Sequence, residues 1–327
     1  MLADACRATI SSAEGDVKLV FCGTPQFAVP TLEAVLKAGH RVELVVTQPD
    51  RPSGRGMQLT APPVKQMALA RGLPVVQPEK LKSNLEFRAQ LEAIHPDAIL
   101  VVAYGRIVPR WMLDLPPHGN LNLHASLLPK YRGAAPIQWA VAMGETETGA
   151  TTMRIDEGLD TGEMLLQARL SILPNQTSVD LFPLLAQRGA LLMVETLVGL
   201  EAGTIAPTMQ DESLATLAPI LKREEGVIDF HRSAHEIFNR WRGFQPWPGV
   251  YTTLQGKKTV LSRIQVAERP ERTTEPGEVV VEQGHWFAAC GEGTWLEVLE
   301  VQLEGKKRML AADFLRGHAL TSGEKLR

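Results

Sequence analysis

The sequence predicts an α/β protein, an open and mainly parallel sheet followed by a small C-terminal β-barrel. Three observations predict it. An apolar strand, a helix pattern and a second apolar strand follow one another within residues 17–47, at the spacing of a βαβ unit. The run D-A-I-L-V-V-A from Asp97 to Ala103 is almost wholly apolar, as a strand buried on both faces should be. Beyond residue 225 the texture changes to short strands separated by glycine-containing turns. The first part is thus Rossmann-like, and the second reads as an OB-like barrel.

The elements follow in chain order. V-K-L-V-F-C-G (Val17 to Gly23) is a strand ending at a glycine. Thr24 and Pro25 are expected to open a helix, because proline costs little where its missing N–H has no helical partner; that helix ends at Gly39, a fitting C-cap. R-V-E-L-V-V-T is the second strand, and the runs near Val64 to Ala70 and Leu85 to Ile94 are helical. G-N-L-N-L-H (Gly119 to His124) follows the Asp97 strand, then a helix from Pro136 to Met143. T-G-A-T-T-M-R-I and M-L-L-Q-A-R-L-S-I are two further strands. Val179 to Glu201 has a 3.6-residue apolar period and ends at Gly203, making it the longest helix. Strands near Val250 to Thr253, Thr259 to Gln265, Gly277 to Glu282, Trp286 to Ala289 and Leu296 to Gln302 complete the barrel. The expected division is a loose extension at 1–16, a catalytic domain at 17–206, a linker at 207–225, where periodicity fades, and the barrel domain at 226–327.

Composition narrows the function classes. A chain of 327 residues with 44% hydrophobic and 22% charged residues can bury a substantial core, and two domains are natural at this length. The net charge of -3 argues against a uniformly basic nucleic-acid binder, so any such attraction must be local. From Ile220 onward 16 Lys+Arg stand against 15 Asp+Glu, which makes this the less acidic part. Three scattered cysteines form neither a disulfide framework nor a metal motif, and a reducing, cytoplasmic compartment is expected. The first 16 residues lack the apolar core of a signal peptide, and no apolar run is expected to reach the ~18–20 residues of a membrane span.

Two clusters carry chemistry. N-L-H-A-S-L-L-P-K-Y-R-G places Asn122 and His124 two residues apart at a strand end, so both side chains leave one face of the strand. Ligands of open parallel sheets bind at the carboxyl ends of strands. An amide beside an imidazole there suits the polarisation of a carbonyl oxygen. Either residue alone is more often an ordinary strand-end polar group. In the second cluster, R-I-D-E-G-L-D-T-G, Asp160 lies between Gly158 and Gly162 in a loop of turn formers. It is a carboxylate suited to orienting His124, although most such loop aspartates only shape turns. The Gly-rich dinucleotide fingerprint is missing after the first strand, where Gly23-Thr24-Pro25-Gln26-Phe27-Ala28 holds one glycine, which argues against a nicotinamide oxidoreductase. No cluster has metal-ligand spacing, and no metal is expected. The loop T-Q-P-D-R-P-S-G-R-G-M offers Arg51 and Arg55, and its prolines and glycines are expected to exclude helix and strand.

Taken together, N-x-H-x-S-L-L-P, G-L-D-T-G, F-C-G-T-P-Q-F-A, T-Q-P-D-R-P-S-G-R-G, V-V-A-Y-G-R-I-V-P and N-R-W-R-G-F-Q-P-W-P-G-V-Y-T resemble the folate-dependent formyltransferases, from about Val17 to the C-terminus. The resemblance is nearest to the branch that acts on methionyl initiator tRNA, and a sugar-nucleotide formyltransferase is the alternative. It implies transfer of a formyl group from 10-formyltetrahydrofolate to an amine, with Asn122, His124 and Asp160 as the catalytic trio. It implies folate contacts at Ser126, Leu127, Leu128 and Pro129, with Tyr104, Gly105, Arg106 and Ile107 near the pterin. It implies that the Arg51–Arg55 loop meets the tRNA, although Met57 and Gln58 stand where many members of the family carry basic residues. Lys257, Lys258 and Arg263, with the Lys306-Lys307-Arg308 run, are expected to add a basic track on the barrel. A monomer with no membrane association is expected.

Overall fold

A computed structural model of the chain describes residues 17–53, 57–268, 274–318 and 320–327. The expected extension at 1–16 and Arg55 lie outside the described residues. The elements are β1 (Lys18–Gly23), α1 (Val29–Lys37), β2 (Arg41–Val46), β3 (Arg51–Ser53), β4 (Gln58–Thr60), α2 (Pro63–Ala70), β5 (Val75–Val76), α3 (Leu85–Ile94), β6 (Ala98–Val102), α4 (Arg110–Leu113) and β7 (Asn120–His124). Then come α5 (Pro136–Ala142), β8 (Glu147–Arg154), β9 (Met164–Ser171), α6 (Ser178–Glu201) and α7 (Ala234–Gly243). The C-terminal part holds β10 (Tyr251–Leu254), β11 (Lys257–Ala267), β12 (Val279–Glu282), β13 (His285–Ala289), β14 (Trp295–Leu303), β15 (Met309–Leu310) and α8 (Ala311–Gly317). The chain forms two compact units. One takes the described residues up to His124 with Ala150–Ala168 and Ala186–Gln210; the other takes Ala125–Gly149, Arg169–Leu185 and Asp211–Arg327.

The first unit is built on a seven-stranded sheet of order β5-β2-β1-β6-β7-β8-β9. β1, β2, β5, β6 and β7 run parallel, and β8 runs antiparallel to β7. Alternation along the strands explains the layers. Leu19 and Phe21 of β1 and Leu100 and Val102 of β6 face a core with α1, α2 and α6. Val20, Cys22, Ile99 and Val101 face the other side, against Phe87 and Leu91 of α3 and Met112 of α4. Both faces are therefore covered, and β6 is buried along its whole length. The chain passes from β1 to β2 on one side and later crosses to β6 on the other. The carboxyl ends of β1, β6 and β7 consequently flank the position where strand order reverses, the usual place for a ligand crevice.

Several local expectations are corrected. Thr24 and Pro25 do not open the first helix: a 3-10 turn at Gln26–Ala28 intervenes and α1 begins at Val29, with Pro30 in its first turn. Thr24 is instead used by its hydroxyl, which donates to Tyr104 O and accepts from Gln48 N, both at 3.3 Å. The loop after β2 does contain strand: β3 and β4 form a two-stranded antiparallel ribbon with Pro52 opposite Leu59. Such a ribbon has two open edges, and a proline whose missing N–H lies at an edge costs no ladder bond. The 24-residue α6 is long and apolar enough to cross a membrane by length and composition alone, although Asp180, Gln187, Arg188 and Glu195 interrupt its apolar run. Half of its apolar stretch is buried, and Leu192, Met193 and Leu197 pack in the sheet core with Leu121 and Leu123 of β7. At Gly189 a side chain would meet Leu123 at 2.7 Å, so glycine is what lets α6 approach β7 this closely.

In the second unit α7 starts with a capping box, Ser233 with Glu236. α5 and α7 pack together, and Trp139 meets Phe244 edge-on with ring centroids 5.4 Å apart. The barrel sheet is antiparallel, of order β10-β11-β14-β13-β12, with β15 on β14. It closes through the chain's last residues: Thr253 and Arg327 exchange two backbone hydrogen bonds at 2.6 and 3.1 Å. On the opposite side Leu326 N donates to Gly277 O and Val279 N donates to Glu324 O, both at 2.8 Å. A C-terminal segment thus bridges β10 and β12, the two end strands of that path, and covers part of their edges. Segment 207–225 is hydrogen-bonded along much of its length, to Met164 through Thr208 and to Arg132 through Thr216 and Ala218.

Candidate active site

The site is assembled at the carboxyl end of β7. Asn122 and His124 leave the same face of that strand, and β8 is registered beside them with Met153 opposite Asn122 and Thr151 opposite His124. Asp160 comes from the loop between β8 and β9. The Asn122 Nδ2 to Asp160 Oδ1 distance is 3.4 Å, and the His124 Nδ1 to Asp160 Oδ2 distance is 3.6 Å. The three residues predicted from sequence therefore converge on the carboxylate of Asp160, at separations longer than an ideal hydrogen bond. His124 is buried, and the Asp160 side chain is 17% exposed. Because Nδ1 is turned to the carboxylate, Nε2 is the ring nitrogen on the far edge.

The loop that presents Asp160 is shaped by its flanking Gly158 and Gly162 and by Asp156, Thr161 and Arg154, the last three not singled out from the sequence. Asp156 accepts from Gly158 N at 2.9 Å and from the Thr161 hydroxyl at 2.7 and 2.9 Å. This aspartate-led turn could have been found from D-x-G spacing. Arg154 N donates to Glu163 O at 2.9 Å and closes the loop's base. Gly162 sits so close to Arg154 that a Cβ would lie 1.8 Å from the Arg154 carbonyl oxygen. Asp160 itself has φ +53, a left-handed conformation unusual for a residue with a side chain.

Tyr104, Gly105, Arg106 and Ile107 follow β6, the strand next to β7, with Val101 in register with Asn122. Their loop is gripped by Gln48. Its Nε2 donates to Tyr104 O at 3.1 Å and Gly105 O at 3.3 Å, and its Oε1 accepts from Arg106 Nε at 3.1 Å. Gln48 O in turn accepts from Gln77 Nε2 at 2.7 Å, and Lys65 joins Gln77 to Asp50. The hydrogen bond from Lys65, followed by that from Gln77, holds the Asp50 carboxyl below the usual carboxylate range. Tyr104 is buried against Cys22, and burial pushes its phenol well above the ordinary range. Ile107 stands 92% exposed at the mouth of this loop. An exposed apolar side chain beside a backbone loop at strand ends suits a flat heterocycle that needs both stacking and main-chain contacts.

In the second unit, Ser126 to Pro129 form a tight turn. The Ser126 hydroxyl donates to Lys130 O at 2.6 Å and is fully buried, so this side chain shapes the turn. Leu128 is also buried, while Leu127 and Pro129 are half-buried.

The described basic residues differ in exposure and in their partners. Arg51 is exposed on the ribbon. Lys257 and Lys258 are neighbours on β11 and therefore leave opposite faces of the strand. Lys257 is exposed, whereas the Lys258 ammonium lies 3.3 Å from the centroid of the Tyr251 ring. Partial burial, with Arg223 nearby, lowers the Lys258 pKa. Arg263 stands 3.6 Å from Glu300, which also meets Arg308 at 3.3 Å.

Comparison with known proteins identifies the family. Residues 17–197 match the formyl transferase family, and residues 220–319 match the formyl transferase C-terminal domain. A protein of Acidobacterium capsulatum named methionyl-tRNA formyltransferase is 73% identical over 310 residues, covering 95% of this chain and 99% of its own length. One of the same name from Koribacter versatilis is 62% identical over 308 residues, covering 94% and 98%. Among solved structures, an N-formyltransferase from Helicobacter canadensis in complex with folinic acid and dTDP-3-aminofucose has a TM-score of 0.61 at 19% identity, over 86% of this chain and 98% of its own. HypX from Aquifex aeolicus in complex with tetrahydrofolic acid has a TM-score of 0.58 at 16% identity, over 92% of this chain and 47% of its own. At those identities the two structures share the fold. With both parts of the chain matched, and with relatives of such identity spanning nearly its whole length, the chain belongs to the formyl transferase family.

Proposed function

We propose that this enzyme transfers the formyl group of 10-formyltetrahydrofolate to the amino group of methionyl initiator tRNA. For the chemistry, the carrying observation is the convergence of Asn122, His124 and Asp160 at the carboxyl end of β7. The acceptor rests on relatives named methionyl-tRNA formyltransferase, up to 73% identical over nearly the full chain. As the amine adds to the formyl carbon, negative charge gathers on the formyl oxygen. An Asn122 N–H and the Nε2–H of a protonated His124 face that oxygen, while Asp160 orients the imidazolium through Nδ1. The bond from the formyl carbon to the folate N10 then breaks. The proton lost by the amine is regained at N10, so the transfer is proton-neutral. No metal takes part in this scheme. Tyr104 to Ile107 and Ser126 to Pro129 are assigned to folate, with Gln48 keeping the first of these loops in shape. Residues 17–206 carry the chemistry. The barrel of residues 226–327, Arg51 on the ribbon and Arg55 close to it in sequence meet the tRNA, with the exposed Lys257 better placed than Lys258, which lies over Tyr251, or Arg263, which is engaged by Glu300. The enzyme acts as a monomer in the cytoplasm; the free thiols of Cys22 and Cys290 are in keeping with a reducing compartment.

The deciding assay offers the protein methionyl initiator tRNA and a sugar-nucleotide amine together, with 10-formyltetrahydrofolate as donor. Formyl transfer to the tRNA is expected. Transfer to the sugar nucleotide instead would overturn the acceptor assignment, and light scattering of the same preparation tests the monomer.

A further inference from the structure

We propose that Gln210 is a positioning residue for the transfer reaction, holding the backbone of Asp160 so that its carboxylate stays on Asn122 and His124. This rests on the role given above to Asp160. Gln210 lies 50 residues further along the chain, just after a backbone pair in which Met164 N donates to Thr208 O at 2.9 Å and Thr208 N donates to Met164 O at 2.8 Å. Its Nε2 donates to Asp160 O at 2.7 Å and to Gly162 O at 2.8 Å. Both acceptors are carbonyl oxygens, so the nitrogen of the amide must be the atom that faces them, and its two hydrogens match the two acceptors. Gln210 is buried, at 8% exposure. Buried amides are kept where their hydrogen bonds are made, since leaving them unmade is costly.

The grip falls on the catalytic residue itself. Asp160 occupies a left-handed backbone conformation, at φ +53, which a non-glycine residue keeps only when its surroundings impose it. Asp156 and Thr161 shape the loop from within. Gln210 ties its carbonyls to a segment outside it. The separations of the trio, 3.4 and 3.6 Å, are already at the outer edge of useful contact, so a small displacement of Asp160 would break them. Misplacement by about 1 Å can cost on the order of a hundredfold in rate.

The test is a double-mutant cycle on the full-length protein, read by single-turnover formylation of methionyl-tRNA. Gln210→Met keeps length and removes the donor. It is expected to lower the rate by roughly 10- to 100-fold, to leave the folate Kd and the KM for tRNA within about twofold, and to add little once Asp160→Asn is present. A merely structural role predicts a lowered Tm and weakened folate binding, with losses that multiply in the double variant; that pattern overturns the proposal, as does a Gln210→Met rate within about twofold of the parent. Gln210→Glu, of the same shape but turning an acceptor toward two carbonyls, is the second variant should the first not fold, and it is expected to be at least as slow. If Asp160→Asn alone is fully active, the reading of Asp160 fails and the role of Gln210 with it. A slow Asp160→Asn beside a normal Gln210→Met removes only the latter.

Discussion

The two loops most exposed to function in the first unit are built in opposite ways. The Asp160 loop is pinned by Asp156, Thr161 and Gln210, and its Gly162 leaves no room for a side chain against Arg154. The Arg51 ribbon is exposed from Arg51 to Pro52 and again from Met57 to Thr60, and its strongest described anchorage lies just before it, where Lys65 and Gln77 hold Asp50. Both stretches are rich in glycine and turn formers, so composition alone would treat them alike. The difference matches the roles proposed for the two loops. Charge that develops in a transition state is stabilised by groups already in place, because reorganising them costs barrier height. A segment that reads a large, charged partner can form its contacts one by one on docking, and needs reach more than rigidity.

That contrast can be broken or sharpened by substitution. The largest effect is expected from His124→Ala, with a kcat lower by ~10²–10³ and folate binding nearly unchanged. A parent-like kcat would remove the imidazole from the mechanism. Gly162→Ala should come next. The added Cβ would sit 1.8 Å from a carbonyl oxygen, and relieving that overlap is expected to cost about 1–3 kcal/mol of stability and about tenfold in rate, read by thermal melting beside activity. An alanine variant with unchanged Tm and rate would show that the loop is not pinned. On the ribbon, Arg51→Ala should raise the KM for tRNA about five- to tenfold, roughly 1 kcal/mol, with kcat unchanged and a shallower salt dependence. A lowered kcat with a normal KM would place the ribbon with the catalytic loop instead. Arg263→Ala should change the KM for tRNA less than about twofold, since its charge is already met by Glu300. A tenfold loss there would make the barrel strand a principal reader.

A pH series separates the site from the fold. Burial holds the pKa of His40 below its ordinary 6.5, an effect only partly offset by Glu201. The unfolded state therefore takes up the proton first. Stability is full above about pH 6.5 and falls as pH drops below it, toward the lowered folded-state value. His40→Gln should flatten that acid-side decline in Tm while leaving the shape of the activity profile unaltered. If the decline persists in the variant, another group is responsible.

Much of this was open to the sequence. Strand and helix periods, the buried run of β6 and the shared face of Asn122 and His124 are set by a few neighbours along the chain, and local sterics and alternation reveal them without a partner, whereas the trio as a unit comes from the resemblance to a family. The barrel, too, was legible from its short strands and turns. Its closure was not, because the pairing of Arg327 with Thr253 joins residues far apart in the chain. The ribbon was missed for a related reason. Proline forbids a central strand, yet only the pairing of Arg51–Ser53 with Gln58–Thr60 shows that no central position is involved. Gln210 carries no local signal: a glutamine in a polar stretch acquires meaning when folding sets its amide against two carbonyls 48 and 50 residues away. Arg263 and Lys258 show the same limit from the other side, since charge along a chain is countable but its neutralisation by Glu300, or its burial over Tyr251, is decided in space. Periodicity and turn chemistry are short-range properties of the backbone, whereas the partners of polar side chains depend on which distant segments packing brings within about 3 Å.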